Sequence, residues 1–369
     1  MLYYLLNYLN KQYSPPGFDI FKYLSFRSIL AAITSMFLAF YIGPKIINYL
    51  KRKQIGETIK EEGPQSHKPK AGTPTMGGII IILSVVIPVL LWADLKSSYI
   101  LLTLAVTVWL SIVGFYDDYL KVVRKKPKGL IARYKLLGQF VIGLIVGIAI
   151  YTLPEFGSYT TETTLPFFKN LNFDFSYAYI PAVIFIITAT SNAVNLTDGL
   201  DGLAMGTMLI VMLAMAVICY VSGNVIYSDY LNIMYLPYSG ELTVFIAALI
   251  GAGLGFLWFN FYPAQVFMGD TGSLALGGAL GVISILIKKE LLLPILGGIY
   301  FMETISVILQ RLYFKYTKKR YGEGKRIFRM APIHHHFELL GWSEPKIVIR
   351  FYIITIILSL ISLASFKIR

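Results

Sequence analysis

The sequence predicts an all-α polytopic membrane protein with ten transmembrane helices, both termini on the extracytoplasmic side and an active site on the cytoplasmic face. Three observations lead there. Of 369 residues, 56% are hydrophobic and 14% charged, the mean hydropathy is +0.65, and the basic residues crowd into alternate loops. Ordinary globular chains are about 45–50% apolar and about 25% charged, so the composition excludes a disordered chain, a nucleic-acid module and a typical cytosolic enzyme. The expected surroundings are a lipid bilayer, with no nucleic acid.

A membrane helix needs roughly 20 apolar residues. Stretches close to that length lie at 24–43, 76–93, 98–116, 136–153, 178–197, 203–222, 241–260, 273–288, 291–311 and 347–366. Ahead of them, Tyr, Asn and Pro interrupt the apolar run and no small-residue cleavage site follows, so the first residues read as retained rather than as a signal peptide. Cytoplasmic loops keep Lys and Arg. Seven basic residues lie between Lys45 and Lys70, seven between Lys121 and Lys135, and ten between Arg311 and Arg350, so 24 of the 33 share one side. Ten spans with that bias place both termini away from the cytoplasm. On the other side, loops 154–177 and 223–240 carry Thr, Pro, Asn and Tyr that suit short strands or turns. With no fixed-period repeat and no room for a soluble insert, residues 1–369 read as one integral membrane domain. Cys219, the single cysteine, lies in an apolar run and offers neither a disulfide nor a thiolate metal site.

Acidic residues are scarce, 20 in all, so their clustering carries information. Asp117 and Asp118 end the third span, with Lys121 one helical turn on. Paired carboxylates beside a lysine suit a divalent cation and a phosphate, or leave one carboxylate as a general base. A solvated helix end is the plain alternative. The fifth span closes on Asn192, Asn195, Asp198 and Asp201, three residues apart, with Gly199 and Gly202 permitting a tight turn or close backbone approach. Polar side chains on a membrane helix face the bundle interior or a cavity. Asp198 alone could equally cap the next helix.

Asn260 opens a loop running through Phe267 to Gly269-Asp270-Thr271-Gly272 at the start of span eight. Asp270 there is placed either to hold a metal ion beside free backbone N–H groups or to cap the helix. Phe267 reads first as packing, with a base as the alternative stacking partner. Between spans one and two, Lys70 and Thr75 bring a cation and a hydroxyl to a glycine-containing loop, chemistry that suits a diphosphate, though the spacing is not that of a P-loop. The last cytoplasmic segment holds His334, His335 and His336, three of four histidines, in a run that looks amphipathic and interfacial. Consecutive residues point about 100° apart on a helix, so the three cannot share one zinc, while one or two could contact phosphate. Glu303, near the middle of span nine, is costly there and is expected to face inward toward a structural partner. Taken together, oxygen ligands without a thiolate, lysines and a lipid-facing scaffold favour Mg²⁺- or Mn²⁺-assisted phosphoryl chemistry on a membrane lipid.

The runs Phe115–Asp118, Asn192–Gly202, Phe267–Ser273 and Met330–Glu338 resemble the phospho-N-acetylmuramoyl-pentapeptide transferase family, a branch of the polyprenyl-phosphate sugar-1-phosphate transferases. The acidic motifs are common to the superfamily, whereas the triple histidine led by Ala-Pro is more particular to the branch. The resemblance implies transfer of phospho-N-acetylmuramoyl-pentapeptide from UDP to undecaprenyl phosphate in the bacterial cytoplasmic membrane, releasing UMP and forming lipid I for peptidoglycan. It further implies Mg²⁺, with Asp270 as ligand and Asp117 and Asp118 engaging the lipid phosphate or the metal. Asp198, Asn195, Lys70, Lys121 and Asn260 would hold the nucleotide and diphosphate, Phe267 would lie against uracil, and His334 would help to position phosphate. A sister N-acetylhexosamine-1-phosphate transferase shares this chemistry. An anionic-lipid or nucleotide transporter is the rival of another class, although such proteins place binding groups near the midplane. A homodimer is compatible with the sequence.

Overall fold

In lipid the backbone must satisfy its own hydrogen bonds, so long apolar segments become helices. The computed structural model describes residues 1–53, 70, 72–126, 129–168 and 171–367; Lys60, Lys68 and Lys128, part of the charge bias, lie outside them. The helices are α1 (Leu2–Tyr13), α2 (Leu24–Arg52), α3 (Gly78–Trp92), α4 (Ser98–Val122), α5 (Ala132–Thr152), α6 (Tyr179–Thr197), α7 (Leu203–Ser222), α8 (Val225–Leu231), α9 (Leu242–Asn260), α10 (Gly269–Leu286), α11 (Leu293–Leu296), α12 (Gly298–Tyr321), α13 (Ile333–Glu338) and α14 (Glu344–Ala364).

Each of the ten expected stretches is helical, but they are not equal. Among the described residues, eight helices are long and apolar enough to cross a membrane, or nine if the pair α11 and α12, bent by 83°, forms one span. The bend falls where Pro294, Gly297 and Gly298 interrupt helix formers. Helix α3 has only 15 residues, about 22 Å at 1.5 Å per residue, less than a hydrocarbon core of about 30 Å. The chain is a multi-pass membrane protein. The loop expected to hold strands does so: β1 (Glu162–Thr164) pairs antiparallel with β2 (Asn172–Asp174), Thr163 opposite Phe173. Helix α1 was not among the expected elements, because Asn7, Asn10 and Lys11 break its apolar run.

Helix α10 is the axis of the core, with sixteen of its eighteen residues buried. It packs on α4, α6 and α3, while α9 packs on α2, α7 and α3. Small residues permit this closeness. A Cβ on Gly114 of α4 would lie 2.1 Å from the Asp270 carbonyl oxygen, so glycine lets α4 touch the backbone at the first turn of α10. One end of the bundle therefore collects the C-terminal ends of α4, α6 and α9 with the N-terminal ends of α10 and α14.

Candidate active site

Three carboxylates meet at that end. Asp117 and Asp118 are buried on the last turns of α4 and Asp270 sits in the first turn of α10, each offering an oxygen within 4.8 Å of the others. Asp118 also faces the first turn of α10: Oδ1 accepts the Asp270 N–H at 3.1 Å, and Oδ2 accepts the Thr271 N–H at 2.9 Å and the Thr271 hydroxyl at 2.6 Å. It caps α10 from another helix, satisfying N–H groups that have no partner within α10. Asp270, weighed as a cap for its own helix, is thereby released.

Its carboxylate faces cations instead. Lys121 Nζ lies 2.5 Å from Asp117 Oδ2 and 3.0 Å from Asp270 Oδ2, and Lys135 Nζ lies 2.9 Å from the same Asp270 oxygen. Asn195 Nδ2 donates to Asp270 Oδ1 at 2.7 Å and to Ser273 Oγ at 2.8 Å. The loop after α4 closes the side, with the Leu130 N–H donating to Asp117 Oδ1 at 2.6 Å. The sequence reading passed over Lys135: it is one of seven basic residues between 121 and 135, and nothing in type or spacing separates it from its neighbours.

The row at the end of α6 does not stay one face. The helix stops at Thr197, Asp198 takes φ −80° and ψ 55°, and Gly202 takes φ +77°. The four polar residues consequently point to different places. Asn192 donates to Gln139 Oε1 at 3.0 Å and to the Thr188 carbonyl at 2.8 Å, Asn195 reaches Asp270, Asp198 ends the helix, and Asp201 turns to Lys70.

Lys70 Nζ bridges Asp201 Oδ1 at 2.7 Å and Glu344 Oε1 at 2.6 Å, tying the loop before α3 to the start of α14. Burial works against the ammonium, but these two carboxylates outweigh it and hold the Lys70 pKa above its ordinary value. Glu344 also accepts the Asp201 N–H at 2.6 Å. It had drawn no notice, since its partner lies 274 residues away in sequence. Phe267 is half-buried, its ring centroid 6.0 Å from Lys70 Nζ. Residues 74–78 pair with 267–268 through Phe267 N–H to Pro74 O and Gly77 N–H to Phe267 O, both 2.8 Å. This puts buried Thr75 beside Asp118, since a Cβ on Gly269 would lie 3.1 Å from Thr75 Oγ1 and 2.7 Å from Asp118 Oδ2. Asn260 is buried and fully engaged by backbone, accepting from Gly202 N–H at 3.1 Å and donating to the Val266 carbonyl at 2.9 Å.

Within the histidine run only His334 is buried, the flanking residues being half-buried or exposed. Helix α13 is six residues long, and His334 is 0% exposed. Its Nδ1 faces Glu303 Oε1 at 3.1 Å, and its Nε2 points at Gly199 without a hydrogen-bond partner among the described residues. His335 Nδ1 lies 2.7 Å from Glu338, and His336 Nδ1 accepts the Arg329 N–H at 3.1 Å. The three imidazoles take different polar partners, although the His334 and His335 rings pack edge to face with centroids 4.1 Å apart.

Residues 99–288 match the family described as Glycosyl transferase family 4, and residues 70–82 match the phospho-N-acetylmuramoyl-pentapeptide-transferase signature 1. Over 369 residues and the full length of both chains, the protein is 54% identical to the phospho-N-acetylmuramoyl-pentapeptide-transferase of Pelodictyon phaeoclathratiforme and 53% identical to that of Chlorobium luteolum. The chain belongs to the phospho-N-acetylmuramoyl-pentapeptide-transferase family. A more distant member from Flavobacterium psychrophilum is 49% identical, again over the whole of both chains. The family signature spans Lys70 and Thr75 and runs into α3, the stretch that pairs with the Phe267 loop. The wider family match takes in Asp117, Asp118, Lys121, Lys135, Asn195, Asp201 and Asp270. The protein is a transferase of this family, which sets aside the transporter alternative.

Proposed function

We infer that the chain transfers phospho-N-acetylmuramoyl-pentapeptide from its UDP carrier to undecaprenyl phosphate, giving lipid I and UMP. The observation that carries this reading is the convergence of Asp117, Asp118 and Asp270 with Lys121 and Lys135 at one end of the bundle. The donors suit a hard divalent ion: every ligand atom of the cluster is a carboxylate oxygen, with no thiolate or imidazole among them. Asp270 and Asp117 would hold Mg²⁺, or Mn²⁺, with Asp118 as the third oxygen source. Such an ion neutralises charge on the diphosphate.

The protein groups then act on two anions that repel. Lys121 and Lys135 offset that repulsion, and fixed placement of donor and acceptor supplies much of the remaining acceleration. Asp117 orients the lipid phosphate and takes its proton. A lipid phosphate oxygen attacks the β-phosphorus, the P–O bond to UMP breaks as the new P–O bond forms, and UMP leaves. Asn195, Asp198 and Lys70 hold the nucleotide and diphosphate, with Phe267 against the base. Asn260, Asn192 and Asp201 act through the loops they brace. Thr75 lies at the carboxylate cluster, and His334, flanked by His335 and His336, presents Nε2 toward the Gly199 turn. We further infer ten spans, counting the short α3 and the bent α11–α12 pair as one each, with extracytoplasmic termini, which puts this site on the cytoplasmic face of the bacterial inner membrane within one domain over 1–369.

The test is UMP release by purified protein given undecaprenyl phosphate and either UDP-N-acetylmuramoyl-pentapeptide or UDP-N-acetylglucosamine. Release is expected with the first donor alone, lost with a chelator and restored by Mg²⁺ or Mn²⁺. Release only with the second donor, or undiminished release under chelation, overturns it. A covalent sugar-phosphate adduct trapped without lipid acceptor would refute direct attack.

A further inference from the structure

At the end of the bundle opposite the carboxylates lies a cavity of about 210 Å³ that the transfer reaction does not use. Helices α10 and α14 both begin at the active site, so their C-terminal ends lie about 27–31 Å away. The cavity sits where they finish, between Lys289 and Leu292 after α10, Ser365 and Phe366 after α14, the β1–β2 hairpin with its tip at Phe167 and Phe168, and Asn232 after α8. It has room for about seven waters at their liquid volume.

Its polar centre is Lys289. The residue is 7% exposed, and its Nζ has one hydrogen-bond partner among the described residues, Thr164 Oγ1 at 2.8 Å, with the Phe366 ring centroid 5.1 Å away. An ammonium has three N–H donors. Neighbouring Lys288 is engaged differently: its Nζ donates to Tyr179 OH at 2.7 Å and to the Thr160 carbonyl at 2.9 Å, and it does not line the cavity. Glu290 is buried beside both and interacts more strongly with Lys288 than with Lys289. Of the two acids on the hairpin, Glu162 accepts from Asn172 Nδ2 at 3.0 Å, and Asp174 accepts from the Ser176 N–H and hydroxyl, both at 2.8 Å. Lys367, next in sequence to the lining residue Phe366, lies over the Tyr230 ring at 3.8 Å and does not line the cavity. Burial pushes the Lys289 pKa down to about 8, with Glu290 opposing the shift. A desolvated cation with unused donors is costly unless an anion completes it.

We propose that this cavity binds the phosphodiester headgroup of an anionic membrane lipid, with Lys289 as the phosphate contact. A lipid rather than a free ion is favoured by the setting. The mouth lies where two apolar helices end, and Phe167 and Phe168, 38% and 61% exposed, rim it where acyl chains meet headgroups. The site is independent of the transfer reaction, because no residue of either group is shared.

The experiment uses the full chain in nanodiscs carrying a trace of phosphatidylglycerol with a photoactivatable acyl chain near the headgroup, with cross-links mapped by peptide mass spectrometry. Labelling of residues 164–168 or 289–292 is expected, about tenfold weaker in Lys289→Met and retained in Lys289→Arg. Should Lys289→Met fail to fold, Asn232→Asp keeps the lysine and places a negative charge at the exposed rim, and the same loss is expected. UMP release is expected to stay at the wild-type level in Asn232→Asp. Equal labelling by phosphatidylcholine, labelling unchanged in Lys289→Met, or displacement by millimolar inorganic phosphate would each overturn the proposal, the last by assigning the site to a soluble anion.

Discussion

Glu303 and His334, 31 residues apart and both completely buried, face each other across 3.1 Å between Oε1 and Nδ1. The other Glu303 oxygen accepts the Ile333 N–H at 2.8 Å. One carboxylate in α12 thus contacts both the backbone and the ring of the short histidine helix. The contact fixes the ring orientation, so that Nε2 points at Gly199. The acid that looked costly in a membrane helix faces inward and is held by the histidine helix.

Glu303→Gln keeps an acceptor for Ile333 but can lose the ring contact by amide orientation. Folded protein with UMP release within about tenfold of wild type is expected, whereas Glu303→Ala strands two buried groups and should lose about 2–5 kcal/mol of stability. Thermal unfolding of both variants beside their turnover decides this, and a folded but inactive Glu303→Gln would show that the carboxylate has a direct role.

Gly114→Ala tests the close approach of α4 to α10. The new methyl would lie 2.1 Å from a backbone carbonyl, that of Asp270, so no side-chain rotation relieves it. Separation of the two helices pulls Asp117 and Asp118 from Asp270. Activity should fall by about a hundredfold or more, since even small misplacement of reacting groups is costly. Turnover that survives at the wild-type level would mean that the carboxylates need not be held together.

Lys135 occupies an oxygen of Asp270 that a metal ion would also want. Removal of that competitor in Lys135→Gln should tighten Mn²⁺ binding about fivefold, the effect of roughly 1 kcal/mol from one contact. UMP release should nevertheless fall about a hundredfold, because the diphosphate loses a cation. Electron paramagnetic resonance titration of free Mn²⁺ separates the two effects, and weaker Mn²⁺ binding in the variant would contradict the competition.

The Lys70 clamp carries a pH prediction. Its pKa is raised above 10.5, so the stabilisation is fully present below that value and is lost only as pH climbs through the higher folded value. Lys70→Met leaves Asp201 and Glu344 buried without their cation, a loss of about 3–5 kcal/mol. The stability difference from wild type should be constant between about pH 7 and 9, and shrinkage in that window would show that another group supports the clamp.

Residue type and spacing were enough to read the helical membrane class, the helical stretches and the acidic runs, because apolar length and the scarcity of charge are properties of the chain itself. The same information placed Asp117, Asp118 and Asp270 together, since each ends or begins a helix on the basic side. The row from Asn192 to Asp201 keeps its i, i+3 neighbours on one helix only as far as Thr197, and the turn that Gly199 and Gly202 permit sends Asp201 elsewhere. Likewise the histidine run read as interfacial because its flanks are basic, whereas contact with Glu303 buries His334.

What the sequence by itself determined was the multi-pass helical membrane class and which residue types could carry phosphoryl chemistry. What only the tertiary structure decided was the division of labour among them: Asp118 capping α10, Asp270 turned toward Lys121 and Lys135, Lys70 clamped by Asp201 and Glu344, and Lys289 buried in a cavity at the far end. The physical reason is that each role is set by a partner 125 to 274 residues away. Helical periodicity relates residues three or four apart, and packing alone brings these groups within hydrogen-bond reach.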